Sequence, residues 1–547
     1  MTHTALLALL TLAPAFQDWS NLGGSSARNG LVQPLGPIFA ASLWSNADDF
    51  SLIAWHPFVE DGRVFTVREA GFPQNGGAAN DALVAYDLDT GAELWRTTPP
   101  FGGDTSVEWI AWIAGVRDGR VFASRASHMQ PAPISAYAAA GGAPLWTSTL
   151  ATQAFAYDGC AFAPDGDLVI GDNMQIARVD AATGATVWST PRSCSVSGDC
   201  GPAASADAVY IDEVAAGGQV ITKVDLATGQ KLYQSPVMPG FLVQRTPFLS
   251  RDGGTVYFAR VQNNPAVDAL FAFEDTGAAL VQLWSVPAAF ATPVSHGVGP
   301  DGSIYMVHAN GEFVRLDAAT GAITGSAGVL APLSSPRVAV DAAGRVYVSN
   351  GWAGTPASDG RLWAFTADLS QQLFSLPLDR PNQGGPALAR DGTLVVCDRT
   401  AVRAWREVGV PQTFCASKTN SDGCLPSMFG LGTPSATAGA GFTVGASQVT
   451  AGDIGLLFYS KTGPAAVPFL GGTLCLAGGV TRTLGANSGG AGACGGALAF
   501  DFNAWAASGQ DSALVAGQPV WGQFWFRDPP ASAGIGLTNG LAFQLGP

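Results

Sequence analysis

The chain has 547 residues, 47% hydrophobic and only 13% charged, against about a quarter charged in ordinary globular domains. Its 69 Gly and 35 Pro argue against long helices and coiled coils, and its 15 Trp, 29 Phe and 9 Tyr supply too much apolar surface for a disordered chain. A net charge of −15 speaks against nucleic-acid or anionic-membrane partners, which need basic patches, and leaves a large, turn-dense all-β protein of more than one domain.

The chain opens on an apolar run that ends at Ala13-Pro14-Ala15, the small-x-small pattern of a cleavage site. Residues 1–15 are therefore expected to be a signal peptide, although its leading region carries His3 and no Lys or Arg. No Cys follows the cleavage pattern, which disfavours a lipoprotein. No other stretch reaches the ~18 uninterrupted apolar residues of a membrane span. The mature chain is expected to be secreted, periplasmic or at the cell surface, without membrane insertion.

A phrase then recurs: aliphatic-x-Asp-x-x-Thr-Gly-x-x-aliphatic-Trp. Its best copies end at Trp95 and Trp188, two more carry Asp225 and Asp317, and degenerate copies end at Trp146, Trp284 and Phe374. The phrase is a hairpin loop: the Asp side chain accepts from backbone amides, and Gly takes the left-handed conformation that closes a bulged turn. The Trp then lies on an outer strand, where it can pack against a neighbouring sheet. Units start at turns containing Asp61, Asp118, Asp165, Asp207, Asp252, Asp301, Asp341 and Asp391, spaced 57, 47, 42, 45, 49, 40 and 50 residues apart. That spacing suits one four-stranded propeller blade per unit, so eight starts predict eight blades. The last unit carries Trp405 but lacks the Thr-Gly-Trp tail, whereas Phe39-Ala-Ala-Ser-Leu-Trp44 reads as an orphan outer strand. A strand near 38–44 is expected to complete the eighth blade and remove both sheet edges.

These units, with the lead-in Asp18-Trp-Ser-Asn-Leu-Gly-Gly-Ser-Ser-Ala-Arg-Asn-Gly30, resemble the pyrrolo-quinoline-quinone-like (PQQ-like) propeller superfamily. The resemblance implies an eight-bladed propeller over residues 16–410. It leaves function open, because the superfamily includes quinoprotein dehydrogenases, outer-membrane assembly lipoproteins and exported proteins without known activity. The dehydrogenases close a vicinal Cys-Cys disulfide over the quinone, bind calcium through acidic and amide side chains and use an Asp as base. Here no two Cys are adjacent, the nearest being Cys194 and Cys200, and no haem motif occurs. No cofactor is therefore expected, the alternative being PQQ with calcium. No phosphate loop, nucleophile elbow or HExxH motif is present, so no catalytic residue or metal ligand is assigned. The acidic pairs Asp87/Asp89 and Asp165/Asp167 read as turn residues rather than calcium ligands.

Any ligand site is expected at the channel mouth, where inner strands begin just ahead of each turn. Aligning the units there singles out Trp55, His56, Trp109, Trp112, Asp158, Arg245, His296, Arg337 and Gln383. This mixture of aromatic and polar groups suits a small or saccharide-like ligand, or an extended peptide. Six Cys fall into close pairs, Cys194/Cys200, Cys415/Cys424 and Cys475/Cys494, expected as local disulfides of an exported protein. Cys160 and Cys397 have no evident partner and read as buried thiols.

Residues 411–547 change texture, becoming rich in Gly, Ala, Ser and Thr, with strands expected at 441–449, 455–460, 472–476, 498–502, 519–526 and 540–545. That pattern suits a smaller β-sandwich stapled by disulfides. It resembles a C-terminal module of large exported bacterial proteins, through Cys415-x-x-x-x-Asn-Ser-x-Gly-Cys-x-Pro, Gly-Gly-Thr-Leu-Cys-Leu476 and Gln523-x-Trp-x-Arg-Asp-Pro. Trp521, Trp525 and Arg527 are candidates for a sugar-binding platform. Taken together, the sequence reads as a secreted, non-catalytic binding or scaffold protein with a protein or glycan partner at the propeller rim or sandwich. The alternatives are a quinone- and calcium-dependent exported dehydrogenase and a carbohydrate-binding protein.

Overall fold

The computed structural model describes residues 18–38, 40–47, 51–68, 80–102, 109–127, 131–156, 158–194, 200–239, 242–243, 246–262, 269–289, 295–352, 354–407 and 411–546. The expected signal peptide and Arg245 lie outside these residues. The chain folds as two units, one of Trp44–Ala404 with the segment up to Gly36, the other of Trp405–Pro547 with Pro37–Leu43. Among the described residues no helix is long and apolar enough to cross a membrane.

In the first unit the repeats become antiparallel meanders. Phe58–Glu60, Arg63–Arg68, Ala82–Asp87 and Glu93–Thr97 pair in chain order as one four-stranded sheet. Among the described residues seven more sheets follow the same plan, opening at Trp112–Arg117, Ala161–Phe162, Ala203–Ala204, Phe248–Leu249, Gly297–Val298, Arg337–Val340 and Ala387–Leu388. These opening strands contact one another from sheet to sheet: Phe58–Glu60 meets both Trp112–Arg117 and Ala387–Leu388, and Ala203–Ala204 meets both Ala161–Phe162 and Phe248–Leu249. They therefore face the middle of the unit, and each meander runs outward. The outermost strand of the last sheet is Ala40–Asn46, paired with Val402–Glu407.

The turn chemistry explains the repeat. Glu60 pairs with Arg63, leaving a two-residue Asp61-Gly62 loop with φ of +46° and +74°, the double left-handed geometry of a tight hairpin. In the Asp-x-x-Thr-Gly copy at Asp87, Oδ1 accepts from Thr90 N at 2.9 Å and from Thr90 Oγ1 at 2.7 Å. Strand register slips between Ala85 and Tyr86, the bulge that closes the turn. Asp180, Asp225 and Asp317 repeat the arrangement, and the Thr hydrogen bonds hold all four carboxyls below their ordinary range.

The repeated Trp joins one sheet to the next. Trp44, Trp95, Trp146, Trp188 and Trp284 donate their indole N–H to the carbonyls of Leu88, Ala139, Ala181, Leu226 and Ala318, each in the next sheet's turn, at 2.8–3.1 Å. The turn glycine lies against the ring: a Cβ at Gly142 would fall 2.5 Å from Trp95 Cε3. The motif is thus half of a bond between sheets, which is why its Trp and its Thr-Gly recur together.

The second unit holds a five-stranded sheet in the order Gln412–Phe414, Ile535–Gln544, Pro519–Arg527, Ile454–Ser460, Thr481–Asn487. A three-stranded sheet orders Ser427–Gly432, Phe442–Val449 and Gly496–Asp501, and Pro464–Phe469 with Gly472–Leu476 form a hairpin. Phe442, Val444 and Leu498 of the smaller sheet meet Leu457, Phe524 and Phe543 of the larger in one buried core.

The disulfides correct the sequence reading. Cys415 bonds Cys475 and Cys424 bonds Cys494, spanning 60 and 70 residues, rather than each Cys bonding its near neighbour in sequence. Pairing follows Cα separation, 5.9 and 6.1 Å in these two bridges, and strand topology sets that separation. The third expected bridge is not formed: Cys194 and Cys200 are free thiols, although the two side chains lie within hydrogen-bonding reach of one another. Their backbones are tied to different groups, Cys194 N to the Asn173 carbonyl at 3.0 Å and Cys200 N to Asp158 Oδ1 at 2.5 Å. Cys160 and Cys397 are buried thiols, pushed up to about 12 and about 11 by desolvation.

Candidate functional site

The middle of the first unit is occupied by the chain's own lead-in. Residues 18–32 make a hydrogen bond at the opening strand of every sheet, or beside it. Backbone amides of Val59, Val116, Ala204, Leu249, Val298 and Val340 donate to the carbonyls of Trp19, Ser20, Ser26, Ala27, Asn29 and Gly30 at 2.7–2.9 Å. Phe162 N donates to Ser26 Oγ at 2.8 Å, and Arg390 N to Asp18 Oδ1 at 2.9 Å. Eight bonds to eight sheets make this segment an internal strap. The two neighbouring glycines, Gly23 and Gly24, at φ of +84° and +83°, let it turn so tightly.

Above the strap, five of the sequence-derived residues converge. Trp55, His56, Trp112, Arg337 and Gln383 line one cavity with Leu22 of the strap. His56 Nε2 accepts from Trp19 Nε1 at 2.5 Å. An indole only donates, so that nitrogen carries the lone pair and the imidazole proton sits on Nδ1. Burial, reinforced by the Arg337 cation, pulls the His56 pKa down to about 3, against the pull of a backbone hydrogen bond at Gln383. The imidazole is therefore neutral at physiological pH and is not poised to exchange protons.

The other candidates lie elsewhere. Asp158 is fully buried and holds turns, Oδ2 accepting from Phe155 N at 2.7 Å. His296 stacks on Phe248 with centroids 5.2 Å apart. Trp109 is half-buried against the core of the first sheets, its backbone N–H donating to the Arg125 carbonyl at 2.8 Å. In the second unit Trp521 and Trp525 are half-buried against Phe458, Leu476, Ile535 and Leu537, and Arg527 is exposed at the end of their strand.

Among the buried arginines that the repeat pattern did not single out are Arg28 and Arg192. Arg28 of the strap donates to the Asp158 carbonyl, and burial draws its pKa down to about 10 while Cys160 and Asp158 oppose the fall. Arg192 forms a buried ion pair with Asp212, Nη2 to Oδ1 at 2.5 Å, and donates to the carbonyls of Asp212, Asp172 and Cys200. Burial pushes Asp212 up to about 6, and the guanidinium opposes it. Only position 28, within the lead-in, had any sequence signal.

Residues 79–326 match the model of a family of PQQ repeats described as outer membrane protein assembly factor BamB. The repeats belong to the PQQ-like β-propeller superfamily. Among solved structures the chain is similar to BamB from Moraxella catarrhalis, at 15% identity over 67% of this chain and 97% of that one, TM-score 0.44. It is also similar to the quinohemoprotein alcohol dehydrogenase of Comamonas testosteroni, at 13% identity over 74% and 83%, TM-score 0.48. No curated protein matches the chain in sequence.

The described residues around this cavity do not fit the quinone. The cavity has a volume of about 20 Å³, room for one or two waters. Cofactor-sized pockets run to roughly 300 Å³ and more. Among the described residues no group of three His, Cys, Asp or Glu side chains is placed to hold a metal ion. The strap and the indoles of Trp55 and Trp112 take up the space instead.

Proposed function

We propose that the protein is an exported, non-catalytic binding or scaffold protein, an eight-bladed propeller carrying a β-sandwich module, that engages its partner through outer surfaces. The observation that carries this reading is the filled middle of the first unit, where the strap touches all eight sheets and His56 is held neutral. Eight meanders with mutually contacting opening strands support the blade count, and a core shared by two sheets supports the sandwich. Two disulfides support an oxidising compartment outside the cytoplasm.

The rim favours a protein partner. On the outermost strands of five sheets, the residue just before the repeated Trp, or before the Tyr that replaces it, is an exposed aliphatic: Leu94, Leu145, Val187, Leu232 and Leu283, each 43–50% exposed. Aliphatic side chains beside outer-strand backbone suit an added strand or an apolar protein surface. Equilibrium dialysis against PQQ and calcium, with dye-linked alcohol and sugar oxidation, tests the reading. No retention and no turnover are expected; stoichiometric retention with turnover would overturn it. A glycan array separates the carbohydrate alternative, whose signature would be binding lost in Trp525→Ala.

A further inference from the structure

The second unit contains an apolar groove of about 480 Å³ between the open face of its five-stranded sheet and the hairpin. Leu456, Phe458 and Trp525 form its floor, and Phe469 and Leu470 at the hairpin tip form its wall. Val480 and Arg482 stand where the edge strand Thr481–Asn487 begins. Phe469, Leu470 and Val480 are 38%, 48% and 37% exposed, a cost in water that an occupant would relieve. The volume lies within the range of small-molecule sites.

The wall is preformed. Cys475, on the second strand of the hairpin, is bonded to Cys415. Lys418 is buried and its Nζ donates to the carbonyls of Leu470 at 3.0 Å and Ile535 at 2.8 Å, and to that of Ser532, which pins the hairpin tip. Little ordering entropy remains to be lost on binding.

The chemistry of the lining selects the ligand. Arg482 is the only charged residue that lines the groove, it is exposed, and among the described residues no carboxylate pairs with it. A glycan needs several convergent polar groups, and the groove offers one guanidinium among apolar side chains. We propose that the groove takes the alkyl chain of a single-chain carboxylate amphiphile, with Arg482 meeting the carboxylate. The site is independent of the propeller reading.

The test is calorimetry of the full chain with decanoate, decan-1-ol and decyltrimethylammonium, each below its micelle threshold or solubility limit, with tryptophan fluorescence as a second readout. Decanoate is expected to bind at one site, about fivefold more tightly than decanol, the worth of an exposed ion pair. The cation is expected to bind more weakly than either. Arg482→Gln should lower decanoate affinity to that of decanol and leave decanol unchanged. Val480→Asp should weaken both by about tenfold, while Leu484→Asp, on the same strand and not lining the groove, should change neither. Decanoate that fails to bind, binds only above its micelle threshold, or ignores Arg482→Gln or Val480→Asp would overturn the proposal.

Discussion

The contact between sheets formed by the repeated Trp and the turn glycine opposite it can be isolated by comparing two glycines. Gly142 and Gly119 have nearly the same backbone, φ of +70° and +72°. An alanine at either adopts a left-handed conformation at a cost of about 1–2 kcal/mol. They differ in what the new methyl meets. At Gly119 nothing lies within 4 Å, whereas at Gly142 the Cβ would fall 2.5 Å from Trp95 Cε3 and 2.4 Å from Thr97 Oγ1. Neither neighbour is free to give way: the Trp95 indole is buried and bonded to the Ala139 carbonyl at 2.8 Å, and Thr97 Oγ1 donates to the Gly142 carbonyl at 2.8 Å. Overpacking of this kind adds about 1–3 kcal/mol. Gly119→Ala is therefore expected to cost about 1–2 kcal/mol and Gly142→Ala roughly 2–5 kcal/mol. Urea unfolding of the full chain, followed by far-UV circular dichroism, gives both values. In a Trp95→Leu/Thr97→Ala background the excess at Gly142 should largely disappear, because both atoms the new methyl would strike are then gone. Equal costs for the two alanines, or an excess that survives in that background, would overturn this expectation.

Further expectations concern titration and covalent links. Burial raises Glu60 to about 7 in the folded chain, so its contribution is present at low pH and is lost as pH rises from the ordinary carboxyl range through about 7. Glu60→Gln should therefore lose less stability than the parent between pH 5 and pH 8, as read from thermal midpoints. His56 moves the other way: its folded pKa lies far below its unfolded value, so its contribution is present above the ordinary histidine range and is lost as pH falls toward about 3. Imidazole NMR shifts of His56 should report a neutral ring at pH 5. Non-reducing peptide mapping should join Cys415 to Cys475 and Cys424 to Cys494, with Cys160 and Cys397 alkylated only after denaturation. Each bridge closes a loop of 60 or 70 residues and should stabilise its unit by roughly 4 kcal/mol against the reduced chain.

The repeat was legible because its chemistry is local. Asp87, Thr90 and Gly91 lie within five residues of one another and make their turn without help from the rest of the chain. The channel residues were partly legible, since alignment of units finds Trp55, Trp112, Arg337 and Gln383 at equivalent places and the structure brings them to one cavity. What no alignment of units reveals is the strap, whose partners lie up to 372 residues away, between Asp18 and Arg390. Trp19 thus read as part of a family lead-in, and its bond to His56 was hidden. The disulfides were misjudged for the same reason: closeness in sequence stood in for closeness in space, and the fold of the second unit decides that.

A strap that permanently fills the propeller must exchange its amide hydrogens slowly, and hydrogen exchange of the full chain measures that directly. Gly30 N donates to the Gly23 carbonyl and Val32 N to the Val340 carbonyl, both at 2.9 Å, while Val116, Val298 and Val340 donate into the strap. These five amides are predicted to exchange together and as slowly as the amides of the central strands of the sheets. Exchange of Gly30 and Val32 at the rate of an open loop, with Val116, Val298 and Val340 following, would show a strap that leaves its channel and would contradict the account.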